Sequence, residues 1–298
     1  MLLNFKEIEL GDINFFSKYW RQMDQINSGY CFPVLWGWNE DYVCSLAPDE
    51  ELDLLWIKQA TPNPVTLAPL GNWHQENWKK IILDRFGKNM DFYYVPEGLL
   101  KIWQKQFGES IEIEEFRGGW DYLYDIKKLA TLSGNAYMKK RNRVNQFRKA
   151  YKYNYIEITD AITSEVMDFQ LSWCQANHCA DVIGLKRECR AIKRILENWN
   201  NLPNLCGGVI KVNDNIAAYT IGELSGETLF VHFEKASLEY NSGYQIINRD
   251  FLANTLKKYP ELKIVNREED LNDPGLREAK MSYLPIDFGK EYHVEIKF

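Results

Sequence analysis

The strongest constraint on this chain is an order of elements that its two halves share: helix, three-strand meander, glycine-containing loop, helix, strand, helix, strand. In the first half, Phe15, Phe16, Tyr19 and Trp20 recur at helical spacing over 12–23, and Asp12 is placed to cap the first turn. Extended stretches follow at 42–45, 52–57 and 65–68, separated by Pro, Asp and Asn, which favour turns. After the loop at 69–72 comes a helix with Trp78, Ile81, Ile82 and Phe86 on one face, then a strand at 92–95. A helix at 97–107 turns Leu99, Leu100, Trp103 and Phe107 inward, and strands at 111–116 and 122–126 close the half.

The second half runs the same way: a strand at 155–159, then helices at 164–177 (Val166, Phe169, Trp173) and 187–199 (Cys189, Ile192, Leu196, Trp199). Three strands at 205–212, 216–223 and 228–233 are turned by Asn213-Asp214-Asn215 and Ser225-Gly226. A helix from 243 to about 258 turns Ile247, Phe251, Leu252 and Leu256 inward, followed by a strand at 262–265, a short helix at 276–281 and a strand at 292–298. The match between halves is one of order, not of identity. It predicts two tandem α/β (α+β) domains, 1–133 and 153–298, joined by a connecting segment at 134–152.

That connector is unusual in charge. It holds Lys139, Lys140, Arg141, Arg143, Arg148, Lys149 and Lys152 without one acid, while Tyr137, Val144, Phe147 and Tyr151 recur at helical spacing. An amphipathic helix with a basic outer face is the expectation. Its cations bind a polyanion such as tRNA through phosphates, or pair with an acidic domain surface. The whole chain of 298 residues carries a formal net charge of -6, which argues against a generally basic nucleic-acid coat but leaves room for this local patch. The start, MLLNFKEIEL, is no secretory signal, and no apolar run is long enough to span a bilayer, so a cytoplasmic protein is expected. Cysteines at 31, 44, 174, 179, 189 and 206 form no Cys-x-x-Cys pair and read as buried thiols. Cys174, His178 and Cys179 lie close together, but no second ligand pair follows at zinc spacing, so no metal is expected.

Two motifs narrow the reading. The first is Leu132-Ser133-Gly134 leading to Lys139-Lys140-Arg141-Asn142-Arg143-Val144-Asn145-Gln146-Phe147. The second is Val265-Asn266-Arg267-Glu268-Glu269-Asp270-Leu271, then Pro274-Gly275-Leu276-Arg277 and Lys280-Met281-Ser282-Tyr283-Leu284-Pro285. Together they resemble soluble relatives of the C-terminal domain of phosphatidylglycerol lysyltransferase, over nearly the whole chain. The element order of the second half is similar to that of the GNAT acyltransferase superfamily. The resemblance implies two GNAT-like domains, each a mixed, mainly antiparallel twisted sheet flanked by helices. Membrane-anchored members of that family move an amino acid from aminoacyl-tRNA to phosphatidylglycerol. Without a spanning segment, a hydroxyl or amine on a small-molecule or aminoacyl acceptor is expected here instead.

Acyl transfer needs a polarised carbonyl, an acceptor that loses a proton and a stabilised leaving group. GNAT domains open two strands and bind the donor's pyrophosphate at the helix after the meander. Here that loop is Tyr240-Asn241-Ser242-Gly243-Tyr244, with one glycine. It lacks the Gln/Arg-x-x-Gly-x-Gly/Ala pattern of acetyl-CoA users, so Ser242, Gly243 and Tyr244 bind a donor or simply cap a helix. The polar run after Val265 leaves the sheet at an edge where ligands commonly sit. Glu268 and Asp270 are candidates for holding an ammonium group or acting as base, and Tyr283 for protonating the leaving group or packing on the last strand. Asn266, Arg267, Arg277, Lys280 and Ser282 are candidates for binding phosphate or carboxylate. Lys139, Lys140, Arg141 and Arg143 are the polyanion candidates. His74, His178, His232 and His293 are scattered and receive no role. The predicted activity is transfer of an acyl or aminoacyl group from acyl-CoA or aminoacyl-tRNA, with no built-in cofactor. The alternative is a non-catalytic module of the same fold that binds RNA or a protein.

Overall fold

The computed structural model describes residues 3–23 and 27–298. In chain order the elements are β1 (Lys6–Glu7), α1 (Ile13–Trp20), α2 (Phe32–Gly37), α3 (Asn39–Tyr42), β2 (Cys44–Asp49), β3 (Leu54–Gln59), β4 (Val65–Gly71), α4 (Trp78–Phe86), β5 (Met90–Pro96), α5 (Glu97–Phe107) and β6 (Ile111–Glu115). They continue with β7 (Asp121–Asp125), α6 (Ile126–Thr131), α7 (Met138–Ala150), β8 (Tyr153–Glu157), α8 (Thr163–Ala176), α9 (Ile183–Glu197), β9 (Leu205–Val212), β10 (Asn215–Ser225) and β11 (Thr228–Ala236). The last are α10 (Gly243–Lys258), β12 (Ile264–Asn266), α11 (Pro274–Met281), β13 (Asp287–Gly289) and β14 (Glu291–Ile296).

These form two compact units, but not at the boundaries the element order predicts. The first runs to Asp121 and also takes Glu269–Asp273 and Gly289–Phe298; the second holds Tyr122–Glu268 and Pro274–Phe288. Each unit is built on a seven-stranded sheet, ordered β1-β2-β3-β4-β5-β14-β6 in the first and β13-β7-β12-β11-β10-β9-β8 in the second. Each sheet contains a parallel pair, β4 with β5 and β11 with β12, with antiparallel pairs beside it. In each, the strand beyond the parallel pair comes from a distant part of the chain. The C-terminal strand β14 inserts between β5 and β6, and β7 pairs with β12. The strand expected to finish the second half thus completes the first sheet. Alternation explains the shortfall: Val294 and Ile296 are fully buried, a pattern that declares an inner face without naming the sheet that receives it.

The basic segment is likewise no connector. Helix α7 belongs to the second unit, where Val144 and Phe147 join Ile246, Ile247, Phe251 and Leu252 of α10 in one core. Its apolar stripe is short but complete, and it leaves the charged face outward. In the first unit, rings of Trp56, Trp78, Trp103 and Phe92 meet edge to face, with Trp78–Trp103 and Phe92–Trp103 centroids 5.5 and 5.1 Å apart. The amphipathic stripes of α4 and α5 supply Trp78 and Trp103 to this cluster.

The feature that prepares a site lies in the second sheet. Parallel pairing of β11 with β12 is confined to Thr228↔Ile264, Leu229↔Val265 and Phe230↔Asn266. Beyond it, β11 stays with β10 as far as Ala236. The chain after β12 instead follows β7: the Arg267 N–H donates to the Tyr122 carbonyl and the Tyr122 N–H to the Glu268 carbonyl, at 3.0 and 3.1 Å. A wedge opens between the two strands. Phe251, nearly fully buried on α10 behind this sheet, tests the core independently of the wedge. Phe251→Ala is expected to lower unfolding free energy by roughly 3–5 kcal/mol through the cavity it leaves, measured by urea denaturation.

Candidate active site

The wedge begins with an extra residue in β11. Ile221 pairs with Phe233 and Gly222 with Val231, so His232 has no counterpart on β10 and is bulged out of register. Gly222 allows this close passage, because a Cβ there would lie 2.3 Å from the Phe230 carbonyl oxygen. The imidazole lies between two carboxylates: Nδ1 is 2.8 Å from Glu268 Oε1 and Nε2 is 3.4 Å from Glu223 Oε2. The His232 side chain is 1% exposed, that of Glu223 4% and that of Glu268 24%. Burial opposes a charge on His232, but hydrogen bonds to Glu223 and Glu268 and their negative charges outweigh it and hold the imidazolium up to about 9.

A second ion pair crosses the wedge with the opposite sense. Glu234 of β11 accepts from Arg267 Nη2 at 3.2 Å, and Asn248 Nδ2 of α10 donates to its other oxygen at 3.3 Å. Burial pushes the Glu234 carboxyl up, while Arg267 pulls it back. Burial also works against the Arg267 charge, and Glu234 with Tyr124 and Tyr283 more than offsets it. The guanidinium lies 5.0 Å from the Tyr283 ring centre, and Lys140 Nζ of α7 lies 4.0 Å from the same centre. Lys140 donates to Ser282 Oγ at 2.6 Å. Burial, then the nearby Arg267 and Arg143, draws Lys140 below its ordinary value. Lys280 donates to the Arg267 carbonyl, and its own carbonyl accepts from Tyr124 Oη at 2.9 Å. Burial raises the Tyr283 phenol, so it stays protonated and able to donate.

The structure therefore brings together Arg267, Glu268, Lys280, Ser282 and Tyr283 of the second motif, and adds Lys140 from the basic helix. Asn266 is fully buried beneath them, and its Oδ1 accepts from the Glu268 N–H at 2.8 Å, which fixes the left-handed turn at Glu268. Asp270 is not part of this group, although its sequence neighbours are. It belongs to the first unit, fully buried, with Arg117 Nη1 at 3.4 Å and the Asn272 N–H at 2.9 Å. A buried carboxylate needs compensating partners, and Arg117 and the Asn272 N–H are two of them. Arg277 is half-buried on α11 in the second unit.

The loop before α10 is placed at the end of β11. A Cβ on Gly243 would come 2.9 Å from that of Ala236, and the Ser242 hydroxyl is buried with no partner among the described residues. Tyr244 contacts Ala236 and Trp173. On α7, Arg141 donates to the carbonyls of Leu132 and Gly134, and Arg148 pairs with Asp250 at 3.3 Å. Lys139 and Arg143 remain on the exposed face. The Cys174 thiol accepts from Gln170 at 3.2 Å; burial, then Cys179 and Cys189, keeps it well above the thiol range. Sequence reasoning missed His232, Glu223 and Glu234. Their signal was three ionisable residues inside apolar strands, a placement that costs several kcal/mol unless each finds a partner.

Comparisons fit this geometry. The family model for phosphatidylglycerol lysyltransferase, C-terminal, matches residues 20–295. A solved structure of a conserved protein from Bacteroides thetaiotaomicron is 31% identical, covers 99% of this chain and 100% of its own, and superposes with a TM-score of 0.88. L-PGS from Bacillus licheniformis is 13% identical over 98% of this chain and 93% of its own, at 0.63. A tandem GNAT protein from the clavulanic acid biosynthesis pathway is 10% identical over 98% of both chains, at 0.51. An uncharacterised protein of Mycoplasmoides gallisepticum is 26% identical over 187 residues, 59% of this chain and 56% of that relative's length. The fold is that of tandem GNAT proteins, and no helix among the described residues is long and apolar enough to cross a membrane.

Two outcomes follow from the buried charges. Asp270→Ala removes a buried carboxylate that pairs with Arg117 and accepts from the Asn272 N–H, and is expected to destabilise the chain by roughly 1–3 kcal/mol in urea denaturation. For His232, the raised value means that the folded chain holds its proton more tightly than the unfolded chain. Its stabilisation is complete below about pH 6.5, declines through about pH 9 and is gone above. Denaturation midpoints compared across that range should fall more steeply in the wild type than in His232→Gln.

Proposed function

Because the chain belongs to the phosphatidylglycerol lysyltransferase C-terminal family, we propose that its second unit moves an activated acyl or aminoacyl group to a hydroxyl or amine acceptor. The observation that carries this reading is the wedge between β11 and β12, lined by charges that are individually paired and collectively fixed. A reacting carbonyl placed there meets groups that need no reorganisation when charge develops on it. Glu268, the most exposed member of its cluster, receives the ammonium of an aminoacyl group or the proton of the acceptor. Arg267 and Lys280 supply positive charge to the donor's carbonyl or phosphate side. Tyr283, protonated and in contact with Arg267, donates to the leaving group.

Aminoacyl-tRNA is the donor that the remaining features favour over acyl-CoA. The exposed Lys139 and Arg143 lie on the helix whose Lys140 reaches Ser282 and Tyr283, so a phosphate backbone on that face runs up to the wedge. The acceptor is an amine or hydroxyl on a small molecule or on another aminoacyl group.

Labelled aminoacyl-tRNAs and acyl-CoAs incubated with the protein and candidate amines provide the test. Tyr283→Phe is expected to lower turnover by about 100-fold with an unchanged melting temperature, as loss of a proton donor should. Lys139→Glu with Arg143→Glu is expected to weaken tRNA binding and to reduce the slope of log affinity against log salt by about one per lost phosphate contact. Consumption of neither donor class would remove the transferase reading. Retained, salt-dependent RNA binding without turnover would select a non-catalytic binding module in its place.

A further inference from the structure

We propose that His232 and Glu223 are positioning residues that hold the outer carboxylate oxygen of Glu268 as the docking point for a primary ammonium group on the substrate. This rests on the transfer reading and narrows its substrate to one that carries a free amine near the reacting carbonyl.

Glu268 is held on several sides. Its N–H is taken by Asn266 Oδ1 at 2.8 Å, its carbonyl by the Tyr122 N–H at 3.1 Å, and Oε1 by His232 Nδ1 at 2.8 Å. The backbone there is left-handed, with φ 58°, which a glutamate adopts only when its surroundings impose it. Oε2 has no partner among the described residues, and the side chain is 24% exposed, so it is the one ligand position the arrangement leaves open.

His232 cannot touch a substrate itself, being 1% exposed. Within the second unit it is faced by Glu223 from β10, Glu268 from the turn after β12, and the rings of Phe230 and Phe233 of its own strand, at 6.1 and 6.4 Å. With the imidazole protonated, the Glu223–His232–Glu268 chain has a formal charge of -1, which one ammonium neutralises. With a neutral imidazole the charge would be -2 in the same buried volume. The bulge at His232 thus sets both the direction and the charge of Glu268. The neighbouring Glu234–Arg267 pair is already neutral and offers no such demand.

Alaninamide and N-acetylalaninamide differ at the ammonium group, and their affinities for the intact protein are measurable by ligand-observed NMR. The wild type is expected to bind alaninamide at least about tenfold more tightly, and Glu268→Gln to abolish that preference. His232→Gln should reduce the ratio of affinities to near one with the far-UV spectrum unchanged. Glu223→Gln, which keeps shape while removing a charge, should lower it severalfold, and serves where His232→Gln does not fold. Loosening of the structure alone would weaken both ligands and leave the ratio in place. A wild-type ratio retained in His232→Gln or Glu223→Gln overturns the positioning role, even if aminoacyl transfer is observed. The expected ratios without transfer from any donor would instead remove the transfer reading and leave the ammonium site standing.

Discussion

Two ion pairs of opposite sense tie β11 to the chain that leaves β12: His232 to Glu268, and Glu234 to Arg267. Without them the wedge would expose two divergent backbones and four ionisable side chains to a partly dry interior. Charges in such a place are costly alone and tolerable together, provided further hydrogen bonds satisfy what the pair leaves over. Asn248 does this for Glu234, Glu223 for His232, and Asn266 for the turn that presents Glu268. The opening is therefore maintained by a network and not by a mere absence of packing. A network of this kind specifies one geometry, as the proposed site for a reacting carbonyl would require.

The strands that flank the wedge depend on contacts far apart in sequence. Strand β12 is held on one side by β11, some 35 residues earlier in register, and on the other by β7, which lies about 140 residues before it. Strand β14 enters the first sheet beside β5 after nearly the whole second unit has intervened. Loop closure on this scale costs entropy that grows only slowly with length, so such pairing is compatible with a stable product, although it delays formation of the sheets. The consequence for the site is specific: Arg267 and Glu268 are fixed by Tyr122, a residue the element order assigns to the other half.

What was legible in the sequence follows from what periodicity can report. Stripes such as Leu99, Leu100, Trp103 and Phe107, or Ile247, Phe251 and Leu252, declare a buried helical face, and these residues lie in the cores they imply. The last strand was visible as a strand, yet its sheet was not, because alternation carries no address. In the polar motif, Arg267, Glu268, Lys280 and Tyr283 converge, whereas Asp270, two residues from Glu268, lies in the first unit. Spacing in a loop cannot separate those outcomes; only the turns at Glu268, Leu271 and Asn272, all left-handed, do so. His232 was hidden for a different reason. A lone histidine in an apolar strand looks like core until its two glutamates, one 9 residues before it and one 36 after, are brought alongside.

The loop before α10 is open to the same physical accounting. In a coenzyme A site, glycines let backbone N–H groups approach a pyrophosphate. Here the single glycine, Gly243, is already required by packing, since any side chain would strike Ala236. The neighbouring Ser242 turns its hydroxyl into the protein and does not cap the helix. The first motif is similarly accounted for: Arg141 binds the carbonyls of Leu132 and Gly134 and so closes the turn into α7. What packing does not use up is Lys139 and Arg143 on the outer face, Lys140 against Tyr283, and the open oxygen of Glu268. Those leftovers run from a polyanion-compatible helix to an ammonium-compatible carboxylate. On the proposed reading, a donor made of a nucleic acid chain ending in an aminoacyl ester would meet them in that order.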